Sequence, residues 1–333
     1  MSYSLSILDK SPIVEGATAQ DALQFSIRLA QRAEALGYKR FWLAEHHGAP
    51  SLASSAPEII AAHVLALTSR IRVGTGGVML QHYSPFKVAE TFRVLASLAP
   101  GRVDLGVGKA PGGLPLSTRA LQRYHDKAGK LEFEDQLAEL DAFLVRGIDA
   151  RHPLAGAIAL PTPPEFPQRI VLGGSPESAS LAARHGWQFC YAGHFNGDQA
   201  NIERSIDAYR DATDRTPLLA VYAVAAASKA IAQRHVAGLR IFKVRLASGQ
   251  SVNLPSPEAA AEFARQAGVS DYTLEELHPQ VITGTPEDVR RELDALHERF
   301  GIEEFVIDAP IADYDARLAS FESLAQAEQA VRA

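Results

Sequence analysis

The chain has 333 residues, 47% of them hydrophobic and 22% charged, with a net charge of −6 at neutral pH. That length supports a large core, and the lack of any long Lys or Arg run argues against a nucleic-acid or anionic-membrane partner. No apolar stretch reaches the roughly 18 residues of a membrane helix. The opening residues lack the basic-then-apolar order of a signal peptide, so a cytoplasmic protein is expected. Cys190 is the only cysteine, which excludes an internal disulfide and a thiolate metal cluster. It sits in the apolar run Gln188-Phe189-Cys190-Tyr191-Ala192 and reads as a buried core thiol.

Short β-rich runs alternate with longer helical patterns. In chain order, strand 3–8 precedes helix 19–36, 40–44 precedes 58–67, 71–76 precedes 86–98, and 103–107 precedes 131–145. Strand 169–172 then precedes helix 177–184, 189–192 precedes 202–212, 218–224 precedes helices 229–246 and 286–300, and 304–307 precedes a closing helix 313–331. Eight such units predict a parallel sheet covered by helices, closed into a single-domain (β/α)8 TIM barrel. The gaps at about 109–131 and 248–280 exceed one connection and read as excursions that shape a site. Thr18–Asp21, Ser55–Glu58 and Thr285–Asp288 read as capping-box helix starts, the last two with proline in the first turn.

In such a barrel, chemistry sits where strands end. The second strand runs into Glu45-His46-His47, an acid and two imidazoles suited to proton transfer. Adjacent strand residues point to opposite faces, so the two histidines meet on one metal ion only if the chain turns between them. The bland alternative is a solvated strand end. The third strand ends in Gly74-Thr75-Gly76-Gly77, which lets backbone approach a flat ligand closely. The fourth ends in Gly108-Lys109, where a lysine offers a point charge to a phosphate; with no Ser or Thr following, it is not a P-loop. After the fifth strand, Gly173-Gly174-Ser175-Pro176 leads into a helix whose free amides and dipole make a ready anion site. Each segment also has a plain structural reading, as surface lysine or helix cap. His194 and Phe195 after the sixth strand, and His82 and Tyr83 after the third, are weaker features of the same kind. Together, glycines and a phosphate clamp at neighbouring strand ends describe a phosphorylated planar cofactor such as FMN.

These segments, with Leu8-Asp9-Lys10-Ser11-Pro12, Pro310-Ile311 and Asp315-Ala316-Arg317-Leu318, resemble the bacterial-luciferase-like flavin-dependent monooxygenases over nearly the whole chain. The resemblance implies a TIM barrel using reduced FMN and molecular oxygen on a small organic substrate, with no room for a nicotinamide domain. A separate flavin reductase and a homodimer are therefore expected. It implies that His46 acts in catalysis with Glu45 beside it, and that Gly76-Gly77 occupy a cis-peptide position. It also implies that Lys109, Gly173, Gly174, Ser175 and Ser178 bind the flavin phosphate. Lysine replaces the arginine common at position 109, and Gly108 replaces the reactive cysteine of luciferases, which argues against light emission. The alternatives are an F420-dependent oxidoreductase on the same fold, a non-catalytic flavin-binding protein and, third, a metal-dependent hydrolase.

Overall fold

The computed structural model describes residues 3–126, 131–194, 197–247, 249 and 251–332, with side chains described as far as residue 327. The strands are β1 Ser4–Asp9, β2 Arg40–Leu43, β3 Arg72–Met79, β4 Val103–Gly108, β5 Gln168–Gly173, β6 Gln188–Ala192, β7 Leu218–Ala225, β8 Ile241–Leu246, β9 Ser251–Leu254, β10 Tyr272–Leu277, β11 Val281–Gly284 and β12 Glu304–Asp308. The helices are α1 Ala19–Leu36, α2 Pro57–Ala66, α3 Pro85–Leu98, α4 Pro115–Leu121, α5 Phe133–Asp141, α6 Pro176–Arg184, α7 Gln199–Thr213, α8 Lys229–Val236, α9 Pro257–Ala267, α10 Pro286–Phe300 and α11 Tyr314–Arg332.

Strands β1 to β7 pair in parallel, each with the next, and β12 closes the ring between β7 and β1. All eight strands expected from the sequence are therefore the barrel strands. Local chemistry sets the helix ends. Thr18 and Asp21 form a reciprocal capping box on α1, which stops at Gly37 with φ 84°. Thr285 and Asp288 do the same for α10. The expected box at Ser55–Glu58 is absent: Ala56 caps α2 without a side-chain bond, and Pro57 alone presets the first turn.

Strand alternation sorts the barrel interior into layers. At the N-terminal end, Ser6, Arg40, Arg72, Asp104, Gln168 and Glu304 form a polar plug. Glu304 accepts from Ser6 Oγ at 2.7 Å and Arg40 Nε at 2.6 Å; Asp104 accepts from Arg40 Nη1 and Trp42 Nε1, each at 2.9 Å, and from Arg72. Above it lies an apolar layer of Leu8, Trp42, Ile170, Cys190, Leu218, Ala220 and Val306. Cys190 is fully buried here, as expected, and burial pushes its thiol pKa up. Gly76 on β3 makes space for the large Trp42: a Cβ there would stand 2.8 Å from Leu8 Cδ1 and 3.2 Å from Trp42.

The described residues of both excursions are folded, and they pack on each other. The first carries α4; the second carries β9, α9 and β10, with β8, β9 and β10 forming an antiparallel sheet. Leu114, just before α4, packs against Val244, Leu246 and Phe263, and the Leu116 amide donates to Gln266 Oε1 at 2.8 Å. The expected helix 229–246 is corrected here. Helix α8 stops at Val236, and Ile241–Leu246 is β8. Gly238 interrupts the helix, and Val244, with apolar residues at 241, 242 and 246, suits a pleated sheet.

Candidate active site at the barrel mouth

Beyond β2 the alternation of faces continues, and it separates the three residues of the Glu45-His46-His47 stretch. Trp42 and Ala44 face the interior, so His46 follows them to the mouth while Glu45 and His47 turn outward. Glu45 is buried, and its Oε1 meets His47 Nε2 at 2.8 Å and the Tyr83 hydroxyl at 2.9 Å. Its Oε2 accepts the Met79 amide at 3.2 Å. The partners of Glu45 are thus His47 and Tyr83. Glu45 fixes the strand end that carries His46. Burial, then Glu45, raises the Glu58 pKa on the first turn of α2.

The imidazole of His82 is equally structural. Its Nε2 donates to Pro111 O at 2.7 Å and its Nδ1 accepts from Gln122 at 2.9 Å. A neutral ring satisfies both bonds, and burial lowers its pKa. With the His47 amide bonded to Gly112 O at 2.7 Å, these contacts pin the start of the first excursion beside His46.

His46 meets a different group of neighbours at the mouth. Lys10 and Asp308, one residue past β1 and at the end of β12, form an ion pair at 2.6 Å, and Lys10 donates to the Tyr222 hydroxyl at 3.1 Å. His194 is buried and packs edge-on against the Tyr222 ring, with centroids 5.5 Å apart. Phe195 lies outside the described residues. Burial first, then Lys10, pushes the His46 pKa down to about 4 and that of His194 to about 3, with Asp308 opposing both. His46 Nδ1 is buried without a hydrogen-bond partner among the described residues. Lys10, Asp308 and Tyr222 were missed from sequence. The available signal was parity: each is an even-numbered residue continuing the inward set Leu8, Val306 and Ala220 by one further step along its strand.

The other half of the mouth is smooth. The Gly76–Gly77 peptide is cis. A Cβ on Gly77 would stand 2.7 Å from Gly106 O, so contact between β3 and β4 already requires that glycine. Lys109 is exposed just after β4. On adjacent β5, a Cβ on Gly173 would stand 2.4 Å from Ser178 Cβ, which is why α6 can start directly against the strand. Ser175 caps α6, its Oγ 3.4 Å from both the Ser178 amide and the Ser178 hydroxyl. Asn201 supports this turn, donating to Gly174 O at 2.8 Å and Tyr191 Oη at 2.7 Å. Two hydroxyls, a helix N-terminus and a nearby cation suit a phosphate, and the orphaned His46 Nδ1 suits a polar partner from a bound molecule. These residues therefore fit a phosphorylated cofactor. A separate cavity of about 730 Å³ opens at the opposite, N-terminal end against Arg40, Gln168 and Glu304, away from every strand end that carries this chemistry. Among the described residues no group of three or more His, Cys, Asp or Glu side chains is placed to hold a metal, and no helix is long and apolar enough to cross a membrane.

The model of the luciferase-like monooxygenase family matches residues 4–304. The chain belongs to that family. It is 41% identical over 332 residues to an N-acetyl-S-alkylcysteine monooxygenase of Bacillus subtilis, covering 98% of this chain and 99% of the relative. Among solved structures, apo-MsnO8 superposes with a TM-score of 0.77 at 36% identity, with 98% of each chain covered. More distant structures share the fold. One is the oxygenating constituent of a Pseudomonas putida diketocamphane monooxygenase in complex with FMN, with TM-score 0.70, 17% identity and 98% and 97% coverage. Another is an F420-dependent secondary alcohol dehydrogenase, with TM-score 0.70, 16% identity and 98% and 99% coverage.

Proposed function

We propose that this chain, acting as one unit in the cytoplasm, is an FMN-dependent monooxygenase that receives reduced flavin from a separate reductase. The balance is one oxygen atom to the substrate and one to water, with reduced FMN oxidised. The observation that carries the reading is His46 at the C-terminal end of β2, its buried Nδ1 without a hydrogen-bond partner among the described residues, in a barrel whose β5 end carries the Gly173–Ser178 turn. Ser175, Ser178, the α6 amides and Lys109 would hold the phosphate, and Gly76-Gly77 would face the ring. Bound reduced flavin would supply the electrons that activate oxygen. The chain supplies the rest: His46 accepts or returns a proton at Nδ1, Glu45 and His47 hold its strand end, and the paired excursions limit water at the mouth. The Bacillus relative makes a small thioether, such as an N-acylated S-alkylcysteine, the first substrate to test. We further propose a homodimer through α2 and α3, which expose Ile59, Val94 and Leu98.

The test is an anaerobic titration with reduced FMN, followed by turnover under labelled oxygen with an added flavin reductase and the thioether. Tight binding and one labelled atom in the product support the reading. Binding of reduced F420 in preference to FMN would replace it with a deazaflavin oxidoreductase. Binding of FMN with release of peroxide alone, across a substrate panel, would leave a non-catalytic flavoprotein. Oxidation of NAD(P)H by this chain alone would overturn the two-component arrangement.

A further inference from the structure

A glycine inside a strand weakens it, and marks a place where packing or a close approach needs one. On the barrel strands Gly74, Gly76, Gly77, Gly106 and Gly173 are all needed by packing: a Cβ on any of them would stand 2.0–2.8 Å from a neighbouring atom. On Gly106 that atom is Thr75 O, at 2.1 Å. Gly108, at the end of β4, differs. A Cβ there would first meet Met79 Cε at 3.7 Å and Met79 Sδ at 3.9 Å, ordinary van der Waals contact, and its backbone is not left-handed. Among the described residues no contact requires glycine at this position.

Gly108 faces the mouth. Asp104 points inward to the polar plug and Gly106 inward toward Leu172, and alternation carries Gly108 one layer further. Met79 joins it because the pairing of β3 with β4 shifts between Thr75 and Val78, which sets Met79 opposite Gly108. Met79 also reaches the first excursion, where a Cβ on Gly112 would stand 2.9 Å from its Cγ. Gly108 is buried, with the Met79 side chain as its nearest cover. The room left by the missing side chain is therefore a narrow apolar slot with one pliable wall, since an unbranched thioether swings at little cost. It lies on the β3 side of β4, and the Gly173–Ser178 turn lies on the β5 side.

We propose that Gly108 and Met79 form an apolar subsite that takes the S-alkyl group of the substrate and sets the size accepted. A thin, flexible chain of methylenes fits a slot that a thioether vacates. A wide, rigid ring needs a surface that is open beforehand, which the cis Gly76–Gly77 segment offers and this slot does not. The choice of an S-alkyl group rests on the thioether reading given above; selection by length is a property of the slot.

The experiment is calorimetric binding of two probe series to the full chain, with and without FMN: N-acetyl-S-alkylcysteines from methyl to hexyl, and the matching methyl alkyl sulfides. Gly108→Val should weaken the butyl and hexyl members at least about tenfold and the methyl member less than about twofold. Met79→Ala should shift the preference the other way, toward longer chains. FMN affinity should stay within about twofold in both variants, since neither side chain is asked to touch the cofactor. Melting tests the premise without any ligand: Gly108→Ala should melt no lower than the wild type, and Gly106→Ala well below it. Equal weakening of every chain length in Gly108→Val overturns the proposal. So does a loss of FMN affinity in place of alkyl selection, or a wild type that binds neither series. Should Gly108→Val fail to fold, Gly108→Ala and Met79→Ala must still move the length preference in opposite senses. Length-selective binding with no oxygen transfer in a separate turnover assay would sink the monooxygenase reading and leave the subsite standing.

Discussion

The barrel interior carries buried charge at both ends, and the two ends are built differently. At the N-terminal end Arg40 lies between Asp104 and Glu304, while Arg72, Trp42 and Ser6 occupy further acceptor positions on the two carboxylates. At the C-terminal end Lys10 and Asp308 form an ion pair at 2.6 Å, and His46 keeps a buried ring nitrogen without a hydrogen-bond partner among the described residues. A network in which donors meet acceptors closes a fold. An imidazole left short of one bond is costly to the empty protein and useful only to something that binds.

Breaking the first network should have the largest effect. Asp104→Ala removes an acceptor shared by two guanidiniums and an indole, leaving cations without their counter-charge. A loss of about 3–5 kcal/mol in urea unfolding is expected, with activity per folded molecule unchanged. The opposite end should respond in reverse. His46→Gln should change stability by less than about 1 kcal/mol and leave FMN affinity nearly intact, yet cut oxygenation by about 10²–10⁴-fold. Parallel loss of stability and turnover in both variants would erase the distinction between the two ends.

Acid should sharpen the comparison. The folded values near 4 for His46 and 3 for His194 lie below the ordinary value of 6.5. Between them the unfolded chain takes up protons that the folded chain refuses. Stability is therefore unaffected by these groups above about pH 6.5 and falls below it, at up to about 1.4 kcal/mol per pH unit for each histidine. Replacing both histidines by glutamine should flatten the melting temperature across that window. A slope that survives the double replacement would assign it to other groups.

The barrel was legible because its strands are short apolar runs punctuated by glycine and proline, each followed by a helical period. The insertion was not: β8 sits directly behind α8, where one apolar stretch serves either period until Gly238 is given its weight. The site was legible by location. His46, the glycines and the Gly173–Ser178 turn all fall at strand ends, where a barrel puts its chemistry. The partners of those residues were not, because they depend on pairings between distant strands. Glu45 and His46 are neighbours in sequence and face opposite sides. Lys10 and Asp308 come from the two ends of the chain and meet only because β12 closes on β1.

The smallest expected effect concerns the charge that the structure leaves outside the barrel. Lys109 is exposed, unlike Lys10, so its attraction for a phosphate is screened by water and salt. It lacks the bidentate fork of arginine, and its flexible stem loses entropy on binding. Lys109→Met should weaken reduced-FMN binding by only about two- to fivefold at physiological salt, in line with the 0–1 kcal/mol of an exposed ion pair. The deficit should shrink as salt rises. Ser175→Ala, which removes both a helix cap and a phosphate donor, should cost more and depend less on salt. A salt-insensitive loss of a hundredfold or more in Lys109→Met would mean that the excursion closes over this lysine when flavin binds. The flavin phosphate would then sit in a buried site, built like the N-terminal plug, in place of the open one at the end of α6.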